Sequence, residues 1–182
     1  MSAADVHRSR AGRLGHRSGR RPRGFTLIEL MVTITVLAIL LAVAVPSFDG
    51  IRLSSRLTSY ATDLMAGSQL ARTEAIKRNA PVTMCASANG TSCSTSGGWE
   101  SGWIVLSGAT VIHQQPAAAA GYKLTEGGGT TSLTFESTGV GASQATFTIC
   151  RASPSVGGQE RVVKISATGR ASITRTALGT CA

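Results

Sequence analysis

The stretch RGFTLIELMVTITVLAILLAVAVP, residues 23–46, decides how the rest of the chain is read. Its apolar run from Phe25 to Val45 is 21 residues long. As a helix it would extend about 30 Å, one bilayer core. Yet Glu29 sits five residues into it. An unpaired carboxylate in a membrane costs about 2.5 kcal/mol or more, so a partner or a purpose is required.

The charge of the chain points the same way. Its net charge of +9 resembles a nucleic-acid signal until it is partitioned. Residues 1–24 hold seven arginines against Asp5, for +6, and the remaining 158 residues hold eleven basic and eight acidic groups, for +3. Most of the excess therefore adjoins the apolar run. Arginines retained in the cytoplasm ahead of an exported segment produce this arrangement. A basic nucleic-acid-binding arm is the competing reading.

Past Pro46, which is expected to kink the helix, apolar residues continue at helical spacing. Leu53, Leu57, Tyr60, Leu64, Gly67, Ala71 and Ala75 form one face, and Arg52, Arg56, Ser59 and Asp63 another. Glu74 can reach Arg78 one turn on. This predicts one helix of about fifty residues, apolar all round in its first half and amphipathic in its second, stopped by Asn79 and Pro81. The period then changes to two. Eight short runs (VTMCAS, GWIVLSG, TVIHQQ, GYKLT, TSLTFES, ATFTIC, RVVKISA, ASITRT) alternate with Gly-, Ser-, Asn- and Pro-rich clusters. They predict an antiparallel sheet or small two-sheet sandwich packed on the amphipathic half-helix, an α+β fold. The expected divisions are a leader over 1–24, an apolar helix over 25–45, its amphipathic continuation over 46–79, and a β-rich domain over 80–182.

Four cysteines, Cys85, Cys93, Cys150 and Cys181, follow the apolar run. An even count on the exported side favours disulfides. Three pairings are possible, and proximity favours Cys85–Cys93 with Cys150–Cys181. In the loop-entropy picture these would stabilise by about 2.5 and about 3.5 kcal/mol. A metal site is the weaker alternative, because there is no CxxC and the exported part has one histidine, His113. No metal, cofactor or catalytic constellation is expected. Gly139-Val140-Gly141-Ala142-Ser143 lacks the rest of a nucleotide fingerprint. Asn89-Gly90-Thr91 fits a glycosylation sequon and a turn equally well.

Two export readings remain. An ordinary signal peptide would be cut at Ala42-Val43-Ala44, but the apolar run exceeds the usual 7 to 15 residues and contains Glu29. The other reading rests on Arg-Pro-Arg-Gly followed by Phe-Thr-Leu-Ile-Glu-Leu, which resembles the type III signal of type IV prepilins and pseudopilins. The resemblance implies a prepilin peptidase that cuts between Gly24 and Phe25 on the cytoplasmic side and methylates the new Phe25 amine. Cutting before the apolar run leaves it on the mature chain as inner-membrane anchor and polymerisation stalk. The resemblance also pairs Glu29 with an N-terminal amine, its own or that of a neighbouring subunit. Such a pair would set axial register, since removing one charge strands the other. A carboxylate simply resting at headgroup level is the bland alternative.

The resemblance continues beyond the signal. QLARTEAIKRNAPVTMCAS, a cysteine loop, WESGWIVL and VVKISATGRASI are similar to the GspH/FimT family of minor pilins and pseudopilins. It implies a type IV pilin-like fold, other pilin subunits as partners, and a minor type IV pilin of the FimT/FimU kind that primes assembly or sits at the tip. It also implies a periplasmic C-terminal domain that later reaches the pilus or cell surface. The alternative within the family is the GspH pseudopilin of type II secretion. FimT-like members of competent bacteria bind DNA through a C-terminal G-R-x-R motif. This chain has Gly169-Arg170-Ala171-Ser172, so the second arginine is missing. Residues 150–182 nevertheless carry +4, and Lys164 lies in a strand whose turn is expected to bring Arg170 and Arg175 back alongside it. With three phosphates contacted by Lys164, Arg170 and Arg175, double-stranded DNA affinity would fall about 40-fold between 50 and 200 mM salt. Arg72 on the helix is expected to play no part.

Overall fold

Helix α1 takes Leu27–Arg78, 52 residues. The computed structural model describes residues 24–140, 144–153, 159–176 and 181, with backbone alone at 43–48. The chain divides at Val43/Ala44 into two compact units. In the first, α1 starts at a capped turn: Thr26 Oγ1 accepts the Glu29 amide at 3.2 Å, and the Thr26 carbonyl accepts the Leu30 amide at 3.1 Å. That satisfies donors which a helix start otherwise leaves open. Large apolar side chains from Leu27 to Leu41 are 50–76% exposed. Among the described residues no helix is long and apolar enough to cross a membrane. The span expected over 25–45, the kink at Pro46 and the Ala42-Val43-Ala44 site all run into positions 43–48, and most of the leader, residues 1–23, lies outside the described residues.

The second unit contains the rest of α1 and eight strands: β1 Val82–Ala86, β2 Trp103–Ser107, β3 Thr110–Gln115, β4 Tyr122–Glu126, β5 Ser132–Phe135, β6 Ala145–Arg151, β7 Glu160–Ile165 and β8 Ala171–Thr176. Each of the eight expected runs became a strand, because alternation and turn residues are local signals. Asn79 adopts φ 49° just beyond the helix and ends it, as expected. Glu74 holds both Lys77 (2.9 Å) and Arg78 (2.8 Å) in the last turn. These cations draw the Glu74 carboxyl below the ordinary glutamate range.

The strands form two antiparallel sheets, ordered β3-β2-β1-β5 and β4-β6-β7-β8. Leu53, Leu57, Ala61, Leu64, Ala71 and Ala75 of α1 are sealed against the inner faces of both. Tyr60 is only half-buried, but its hydroxyl accepts the Ala119 amide at 2.9 Å and its ring meets Tyr122 edge-on at 5.2 Å. Gly67 is required by close packing, since a Cβ there would land on the Trp103 ring. Trp99, in a 3-10 turn at Trp99–Ser101, stands edge-on to Phe147 at 4.9 Å and donates from Nε1 to the Thr130 carbonyl at 2.8 Å. His113 packs beside the Trp103 ring at 5.4 Å, an ordinary strand position.

Both favoured disulfides are formed, with Cα–Cα distances of 5.5 Å for Cys85–Cys93 and 5.6 Å for Cys150–Cys181. Within the first loop, Asn89 Oδ1 accepts the amides of Thr91 (2.9 Å) and Ser92 (3.0 Å). That is a side-chain-closed turn, the structural alternative to a sequon.

Candidate functional site

Three groups of side chains stand out, and the first is the start of the chain. Among the described residues a Cβ at Gly24 would meet nothing within 4 Å, and Phe25 is 81% exposed. Glu29 is exposed and forms no ion pair among the described residues. Its backbone has a role of its own, because Thr26 caps the helix through it. The Thr-x-x-Glu spacing that signals such a start is legible in the sequence. A carboxylate in the first turn also faces the positive end of the helix dipole.

The second group is the C-terminal cluster of cations, which the strand register divides. Lys164 is opposite Ser172, and Arg161 opposite Arg175. Side chains alternate along a strand, so Lys164 and Arg175, eleven residues and one hairpin apart, point to opposite faces of the sheet. The expectation that Lys164, Arg170 and Arg175 come together is thus corrected. Lys164 and Arg170 share one concavity of about 440 Å³ with Gln144, Thr146 and Ser172. Arg175 lines a different one beside α1. Arg151 is also taken, lying 5.8 Å over the Tyr122 ring.

Arg72, expected to take no part in DNA binding, has a structural setting of its own. It lies beneath two tight turns whose glycines have φ of 77° (Gly139) and 71° (Gly169). A Cβ at Gly169 would come within 3.2 Å of Arg72 Cδ and 2.8 Å of the Gly139 carbonyl oxygen. Arg72 therefore packs against the turn that presents Arg170. Its buried Nε has no hydrogen-bond partner among the described residues. Nothing in the sequence marks it, because the contact joins residues almost a hundred positions apart.

The third group centres on Arg161, only 6% exposed. It donates to Ser54 Oγ (2.8 Å), Thr58 Oγ1 (3.2 Å), the Ser54 carbonyl (3.4 Å) and the Glu160 carbonyl (3.1 Å). Burial, and then the nearby Arg175 charge, lower its pKa. A guanidinium that reads in the sequence as a surface charge is instead the clamp between β7 and α1. Nearby, burial raises the pKa of Asp63, partly opposed by His113. Among the described residues, no group of three or more His, Cys, Asp or Glu side chains could hold a metal ion.

The family of the type II transport protein GspH matches residues 60–169, and the prokaryotic N-terminal methylation motif matches residues 19–45. Among solved structures, the chain is similar to the type IV minor pilin FimU of Pseudomonas aeruginosa, with 24% identity and a TM-score of 0.52 over 66% of this chain and 89% of that one. It is also similar to the minor pseudopilin EpsH from the type 2 secretion system of Vibrio cholerae, at 14% identity and a TM-score of 0.50, over 66% of this chain and 97% of that one. At these identities the likeness is one of fold: a long N-terminal helix with antiparallel sheets. No curated protein matches the chain.

Proposed function

The chain belongs to the GspH family of pilins and pseudopilins, and on that premise we propose that it is a minor type IV pilin that primes pilus assembly or occupies the tip. The observation that carries this is the first unit: a methylation motif followed by a helix whose apolar side chains find no cover among the described residues. Apolar surface on that scale marks a membrane or protein interface. A prepilin peptidase cuts after Gly24 and methylates Phe25, the apolar helix anchors the chain in the inner membrane, and the β-rich domain lies in the periplasm until assembly. Glu29 then meets the Phe25 amine of its own chain or a neighbour's. The role is structural and involves no reaction.

Glu29→Leu separates anchoring from assembly. It removes a desolvation cost of about 2.5 kcal/mol, so membrane insertion should be at least as good as in the wild type. Incorporation should be lost, because the partner amine is left without its counter-charge. Immunoblots of membranes and of sheared filaments measure the two separately. Normal recovery of the variant in filaments contradicts the reading. The alternative, a minor pseudopilin of type II secretion, shares every feature of the first unit. It predicts that the wild-type chain is absent from sheared pili and that its deletion blocks protein secretion.

DNA binding is a second, weaker element of the reading, supported by Lys164 and Arg170 sharing one concavity. With two phosphate contacts in place of three, affinity for double-stranded DNA should fall about 12-fold between 50 and 200 mM salt. Titration of the detergent-solubilised chain, with Arg170→Ala as the variant that should halve the slope to a fall of about 3.5-fold over the same range, checks it. No binding by the wild type at low salt removes this element and leaves the assembly role.

A further inference from the structure

Arg161 and Arg175 sit directly opposite each other on β7 and β8. Like charges in that position destabilise a sheet. Neither forms an ion pair among the described residues, and the oxygens that hold Arg161 are all neutral. The fold therefore holds two adjacent guanidiniums, one of them buried, without a countercharge bonded to either among the described residues. A buried charge left uncompensated is costly.

The surroundings show where a countercharge would enter. Beside Arg175 runs a groove of about 750 Å³. One wall is α1, presenting Ser54, Ser55, Thr58, Ser59 and Thr62, and Ser54 and Thr58 are the residues that hold Arg161 behind that wall. The other wall includes β8, an edge strand of its sheet. A second concavity shares Ile51, Ser55 and Ser59 with the groove and adds Arg52 and Arg56. Of the acids among the described residues, Asp63 alone lines either concavity. The groove is rich in hydroxyls, with Arg175 and Asp63 as its charged groups, and the adjoining Arg52 and Arg56 make the combined surface net positive. A carboxylate at Arg175 would gain a charge-assisted, two-pronged hydrogen bond and relieve its repulsion with Arg161.

We infer that the groove between α1 and the β8 edge is a docking surface for an acidic segment of another chain in the same assembly, with Arg175 contacting its carboxylate. This rests on the assembly role proposed above. Charge complementarity selects an acidic occupant. The recessed position of the second guanidinium favours a single side chain over the evenly spaced phosphates of a duplex. Lys164 and Arg170 open onto the other face and do not contribute.

The test uses the full chain in the cell that builds the assembly, with a photo-crosslinking residue in place of Ser55 and, separately, in place of Leu37. Arg175 is exposed and outside the core, so Arg175→Glu should fold, and formation of both disulfides, read by non-reducing peptide mapping, reports this in the same background. The Ser55 probe should attach to an Asp- or Glu-bearing peptide of a different pilin-like chain, identified by mass spectrometry. Arg175→Glu should reduce that product at least about tenfold, while Arg175→Lys, which keeps the charge but loses the second prong, should reduce it by less. A Ser55 product that is DNA, lipid or a second copy of this chain overturns the inference, as does one indifferent to Arg175→Glu. If Leu37 crosslinks and Ser55 does not, the docking surface is wrong and the assembly role stands. If neither crosslinks, both are wrong.

Discussion

Leu37 and Leu57 lie on the same helix, and the first is 55% exposed while the second is 0% exposed. The sequence of α1 explains the contrast. Up to Leu41 apolar residues occur on every side, so no single partner surface within the chain could cover them. From Leu53 onward they recur at three and four and match one wall of a β-rich domain. One half of the helix is thus covered inside the chain, and the other has no cover among the described residues. On the function proposed, the first half meets the rest of the assembly, while the second half holds the domain together.

Paired substitutions sharpen that division. Leu57→Ala should cost about 2–5 kcal/mol of domain stability by opening a cavity in a closed core. Leu37→Ala should leave the melting temperature essentially unchanged, as exposed substitutions do, and instead lower incorporation into filaments. Thermal melts of the detergent-solubilised variants beside filament blots decide between them. Equal destabilisation by both would break the comparison. Next in size are the disulfides, which belong to the second unit. Replacing Cys150 and Cys181 by Ser should cost about 3.5 kcal/mol, and replacing Cys85 and Cys93 about 2.5 kcal/mol, because the first pair closes the longer loop. Neither change should alter membrane retention. The same melts give the order, and a larger loss from Cys85–Cys93 would show that local packing outweighs loop length.

The two halves are also unequally legible. The strands, the helix stop at Asn79 and the buried face of α1 are written in spacings of a few residues. The favoured cysteine pairs follow from proximity. Sheet order and register are not legible, because pairing is settled between distant segments. That is why the cations read differently in the sequence and in the fold. Arg161 reads as one more surface charge, yet it reaches Ser54 across 107 positions. Arg175 groups with Lys164 by hairpin proximity, which the sequence shows, while the register that sends them to opposite faces is set by the pairing of β7 with β8. Arg72 carries no signal in the sequence, whereas the Gly139 and Gly169 turns close over it. At the N-terminus the reverse holds: the motif Gly24-Phe25-Thr26-Leu27-Ile28-Glu29 carries nearly everything, and the fold adds only the Thr26 cap.

The central claim is that the apolar half of α1 stays on the mature chain. Intact-mass analysis of protein extracted from membranes tests it most directly. The account predicts a chain beginning at Phe25 with a methylated amine. A chain beginning at Val45, with the apolar run removed, would contradict it.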